Sequence, residues 1–198
     1  MNNNFDDEFQ KLFTEMVELA FEFVNNNSDE VDAVYVIGLI EKGYFYKQFY
    51  KINGTVIESH KVNTVSKMQY DISNVRAFSL LNLGNELLKK IEYLFKSDNR
   101  DVPTMLKLIY YPKTGKLESD FGYEKNFSNS NAKTAQDVYE DWFNDIKKSF
   151  PVMAQVCRVG KAEKGTCANT HKSQADTCAN AGHYAQAMDS TAGNENLK

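Results

Sequence analysis

The sequence predicts an α+β fold: an antiparallel sheet of about five strands packed with an N-terminal helix, a long middle helix and a C-terminal helix. Three observations carry this. Apolar residues recur at helical spacing over residues 5–24, 74–97 and 134–150. Between the helical stretches lie short β-branched and aromatic runs. Those runs are joined by tight-turn signals, Asn53-Gly54 and Pro112-Lys113-Thr114-Gly115, which make antiparallel hairpins.

The first helix takes its register from Phe5, Phe9, Leu12, Phe13, Met16, Ala20, Phe23 and Val24, and Asn25-Asn26-Asn27-Ser28 ends it. Val31 to Ile40 is β-branched and apolar, a strand. Glu41-Lys42-Gly43 turns the chain into an aromatic strand, Tyr44 to Ile52, and Asn53-Gly54 turns it again into Thr55 to Val62. The middle helix, 74–97, draws its apolar side from Val75, Phe78, Leu81, Leu88, Ile91 and Leu94-Phe95. Gly84 weakens its middle by about 1 kcal/mol. Residues 97–103 form an exit loop, and the hairpin KLIYYPKTGKLESDFGYEK follows, Lys107 to Lys125. After a polar loop, Phe127 to Ala132, Thr134 caps a third helix that carries Val138, Trp142, Phe143 and Ile146 and stops at Pro151.

Two parts are expected, an α+β domain over 1–151 and a tail over 152–198. The tail has one aromatic residue, Tyr184, and is dominated by Ala, Gly, Asn, Thr and Ser. It cannot bury much apolar surface, so disorder or loose packing is expected. All three cysteines, Cys157, Cys167 and Cys178, fall there with His171 and His183. Structural zinc sites pair ligands two to four residues apart, and these cysteines are too widely spaced, so no metal or other cofactor is expected.

With 198 residues and 13% aromatics, the chain can build one ordinary core. Its net charge of −4 argues against a nucleic-acid binder, which needs Lys and Arg for phosphate. The acids crowd the N-terminus. Asp6, Asp7, Glu8, Glu15, Glu18, Glu22, Asp29, Glu30 and Asp32 stand against Lys11 alone over residues 1–32. Such a field is either a solvated helix face or an attraction for a basic protein. No apolar run reaches transmembrane length, and no basic start leads into an apolar run, so a cytoplasmic protein is the expectation.

Catalytic signatures are scarce. There is no Gly-rich phosphate loop and no G-x-S-x-G elbow, and His60 is the only histidine outside the tail. The remaining chemical candidate is the return strand of the hairpin. Alternation puts Leu117, Ser119, Phe121 and Tyr123 on one face and Glu118, Asp120 and Glu124 on the other. Three carboxylates on one face could hold a metal for hydrolysis, meet a partner, or stand in water.

The segment GKLESDFGYEK, with Gly115 in the turn, Leu117, Asp120-Phe121 and Tyr123-Glu124, matches a strand of the type F-x-x-D-F-x-Y-D. Together with DAVYVIGLIEKGYFYKQFYK and the order of elements over about residues 5–150, it resembles the YezG-like immunity proteins, the EsaG-type antitoxins of secreted nuclease toxins. The resemblance implies a stoichiometric inhibitor with no catalytic residues and a cognate toxin domain, a basic nuclease, as partner. The partner-facing candidates are then Glu118, Asp120, Tyr123 and Glu124 on the hairpin and Glu15, Glu18 and Glu22 on the first helix. Two other readings stay open: a metal-dependent hydrolase using Glu118, Asp120 and Glu124, and an adaptor or chaperone-like binding module.

Overall fold

The computed structural model describes residues 3–130 and 132–150. The tail over 152–198, with its cysteines and the zinc question, lies outside the described residues. Helix α1 spans Asn3–Phe23 and strands β1, β2 and β3 span Val31–Ile40, Tyr44–Ile52 and Thr55–Glu58. Helix α2 spans Asn74–Ser97, β4 Met105–Tyr111, β5 Lys116–Gly122 and α3 Ala135–Ser149. The five strands form one sheet in the order β3-β2-β1-β4-β5, every neighbouring pair antiparallel. This is the expected α+β class.

The sheet separates two apolar layers. Helices α1 and α2 cover one face, where Met16, Ala20, Tyr46, Tyr50, Leu88 and Ile91 are fully or almost fully buried. Helix α3 covers the other, setting Tyr139 and Trp142 against Tyr35 and Phe49. The Trp142 ring meets Phe49 edge-on at 5.0 Å, and Phe49 stacks on Tyr35 at 4.6 Å. β1 is sandwiched from both sides, so it reads as a continuous apolar run rather than an alternation.

Asp32 is the one half-exposed position in β1, at a break in register between Val31 and Ala33. Its carboxylate accepts from the Gly54 backbone N–H and from Lys113 Nζ, both at 2.7 Å. One side chain therefore joins the turns of two hairpins. The β2–β3 turn has Asn53 at φ 48° and Gly54 at φ 79°, both left-handed, as a two-residue hairpin requires.

Four expectations are corrected. The third strand stops at Glu58, and Ser59–Thr64 is a 3-10 turn. Ser59, His60 and Lys61 have no apolar partner to alternate with, and the turn swings Val62 into the core, where it is fully buried. On α2, Val75 and Phe78 are exposed, at 81% and 65%. The inward stripe is Leu80, Gly84, Leu87, Leu88, Ile91, Leu94 and Phe95, which keeps i, i+3/i+4 spacing that Val75 and Phe78 do not share. Gly84 is a contact rather than a weakness: a Cβ there would lie 2.1 Å from Cγ of the buried Tyr46. Finally, β5 ends at Gly122, so the alternation does not reach Tyr123 and Glu124. Thr104 Oγ1 donates to the carbonyls of both Gly122 and Glu124 and draws the chain away from the strand.

Candidate functional site

The seven residues singled out from the sequence do not form one site; they fall on three surfaces. Glu15, Glu18 and Glu22 lie along α1, on the side of the sheet that α1 and α2 cover. They line a hollow of about 920 Å³ with Leu83, Glu86 and Lys90 of α2. Tyr110, Gly115 and Leu117 of the β4–β5 hairpin line the same hollow beyond α1. Glu15 is held loosely, with Lys11 Nζ at 3.9 Å.

A smaller hollow of about 330 Å³ continues along the two helices, lined by Glu8, Leu12, Lys89, Tyr93 and Leu94. It shares Glu86 and Lys90 with the first. Leu12, Leu87 and Leu94 are buried beneath, while Leu83 and Tyr93 stand 52% and 76% exposed on the α2 side. Glu86, Lys90, Leu83 and Tyr93 were missed from sequence because they lie off the apolar stripe of α2. The available signal was the seven-residue interval between Glu8, Glu15 and Glu22.

Glu118 and Asp120 lie on the opposite face of the sheet. Their cross-strand neighbours are Ile109 and Lys107. Ile109 packs in the α3 layer, and Lys107 Nζ stands 5.5 Å over the Trp142 ring. Glu118 is an ion-pair partner of Lys116, at 2.6 Å, and is 3.5 Å from the Tyr111 hydroxyl. Burial, with Tyr111, Asp32 and Glu118 nearby, pushes the Tyr35 hydroxyl up to about 12. Tyr35 therefore keeps its proton across the physiological range.

Tyr123, 55% exposed, belongs to a third surface. It borders a hollow of about 420 Å³ with Phe5, Phe9, Phe95 and Arg100. The Arg100 guanidinium lies 3.7 Å over the Phe5 ring and pairs with Asp98 at 2.6 Å. Glu124 contributes its backbone carbonyl to Thr104 and to Asn126 Nδ2.

No protein-family model matches the chain, and no curated protein matches it. Among the described residues, no group of three or more His, Cys, Asp or Glu is placed to hold a metal ion. His60 sits on the exposed 3-10 turn, with Glu58 at 3.8 Å as its carboxylate neighbour. Among the described residues the most strongly perturbed carboxyl is Glu41. Burial alone would raise it, but hydrogen bonds from the Ser128 hydroxyl, from the Asn126 and Ser128 backbone N–H groups and from the Asn126 amide hold it at about 2. These bonds anchor the loop that leads to α3, a structural role. No helix among the described residues is long and apolar enough to cross a membrane.

Proposed function

We propose that the chain is an immunity protein of the YezG-like type, which binds a cognate toxin, a basic nuclease, and neutralises it stoichiometrically in the cytoplasm. One observation carries this reading: a row of glutamates along α1 borders two adjoining hollows in which Leu83 and Tyr93 of α2 stand exposed. Exposed apolar anchors beside a charged rim, here with an acidic wall on α1, are what a protein interface needs. Phosphate-binding nucleases are basic, so an acidic face attracts them and repels nucleic acid.

Metal-dependent hydrolysis is the less favoured reading. Its three carboxylates are divided, with Glu118 engaged by Lys116 and Glu124 beyond the end of β5. The immunity reading is tested by titrating the purified chain into nuclease assays of a panel of secreted nuclease toxins. One nuclease should lose its activity at one equivalent, with the others unaffected. Inhibition of none would overturn the reading. Tight binding to several unrelated toxins would favour the adaptor reading instead.

A further inference from the structure

The two hollows beside α1 share Glu86 and Lys90, so they form one trough along the α1–α2 pair. Glu8 lines one end and Glu22 the other, two seven-residue steps apart, with Glu15 midway. At 1.5 Å per residue the glutamate row is about 21 Å long, four turns of helix.

The apolar residues repeat at the same interval. Leu12 and Leu19 on α1, and Leu87 and Leu94 on α2, are each seven residues apart and line the trough. Residues seven apart share one face of a helix, and this is the interval by which helices recognise one another in coiled coils. Leu12, Leu87 and Leu94 are buried along the floor, so the apolar groups that the trough offers are half-buried Leu19 on α1 and exposed Leu83 and Tyr93 on α2.

We infer that the trough takes an amphipathic helix of the partner. Its apolar stripe lies against Leu83, Leu19 and Tyr93, and its flanking Lys or Arg side chains, spaced seven residues apart, face Glu8, Glu15 and Glu22. Charge complementarity chooses this occupant. The α1 wall carries Glu8, Glu15 and Glu22 while Lys89 and Lys90 stand on the α2 wall, so the basic flank belongs against α1, and an apolar helix without it would leave that wall unanswered. Helix-in-groove recognition uses this combination of apolar anchors and charged flanks. The inference rests on the immunity reading only for the source of the helix, the toxin.

The test uses the full chain and two synthetic peptides of three heptads. One has Leu at the seam positions and Lys on one flank every seven residues. The other has the same composition with the lysines moved out of register. Binding is read by fluorescence anisotropy, and its location by amide shifts in isotope-labelled protein. The in-register peptide should bind and shift α1 and α2. The out-of-register peptide should bind about tenfold more weakly.

The triple variant Glu8→Lys, Glu15→Lys, Glu22→Lys should lose about tenfold in affinity for the first peptide. Leu83→Asp should lose a similar factor through its apolar contact. Circular dichroism checks that both variants are folded. Absence of binding, equal binding of the two peptides, or shifts confined to β4, β5 and α3 would overturn the inference. The two readings fail separately. A triple variant that still neutralises the cognate toxin removes the trough and spares the immunity reading. Trough binding without any neutralised toxin does the reverse.

Discussion

Gly84 of α2 faces the Tyr46 ring of β2 with no space for a Cβ between them. The Tyr46 ring has no room to retreat. Its hydroxyl donates to the Met16 carbonyl at 2.8 Å, and its backbone N–H donates to Asn85 Oδ1 at 2.9 Å. In an open helix, Gly→Ala stabilises by about 1 kcal/mol. Here the added methyl must displace a buried ring, so Gly84→Ala should destabilise by about 3 kcal/mol, read as a lower urea midpoint with unchanged slope. Glu41 gives a second test at this scale. Its folded pKa, about 2, lies below its ordinary 4.5. The unfolded chain therefore binds the proton more readily. The stabilisation is fully present above pH 4.5 and is lost as pH falls towards 2. Allowing for solvent screening, Glu41→Gln should cost about 1–2 kcal/mol at pH 7, and the difference from wild type should close through that acid window. Chemical unfolding at a series of pH values measures it.

Among the elements, α3 depends most on its ends and its aromatic face. Thr134 accepts from the Asp137 N–H while the Asp137 carboxylate accepts from the Thr134 N–H, a complete capping box. Thr134→Ala should cost about 1 kcal/mol, and Trp142 fluorescence should report the weaker docking against Phe49. This helix was fully legible in the sequence, because a cap, an apolar period and a proline stop all agreed. The hairpins were legible for the same reason: the turn residues demand their conformation. The tertiary context was not. Local pattern cannot say that Val62 must reach a core built by α1 and α2, so the third strand was drawn too long. Hydrophobicity alone does not separate Val75 and Phe78 from the inward stripe of α2; their spacing does. The role of Gly84 was hidden because the partner ring comes from another element.

Taken as a whole, the molecule keeps its two acidic groups on opposite faces of one sheet. The sequence identified both as charged surfaces. It could not place them relative to each other, because that depends on which face of the sheet each helix covers. The arrangement makes the proposed interface divisible. Lys substitution at Glu118 and Asp120 together should leave the rate of toxin association within about twofold, whereas substitution at Glu15, Glu18 and Glu22 should slow it by about tenfold at low salt. The effect should shrink as added salt reduces the screening length to about 8 Å at physiological strength. Stopped-flow mixing with the cognate toxin reads both. Equal losses from the two sets would place the contact across both faces.

The central position of β1 also governs how the chain is made. β1 leaves the ribosome before both strands it pairs with and can join at once with β2, its neighbour in sequence. Its other edge waits for β4, which follows the 3-10 turn and all of α2. In that interval Val34, Val36, Ile37 and Leu39 belong to an apolar strand with one open ladder, the kind of edge that recruits another chain. Arrival of the β4–β5 hairpin closes it, and the Lys113–Asp32 pair then fastens the turn of that hairpin to the start of β1. That open edge is thus invisible on the finished surface.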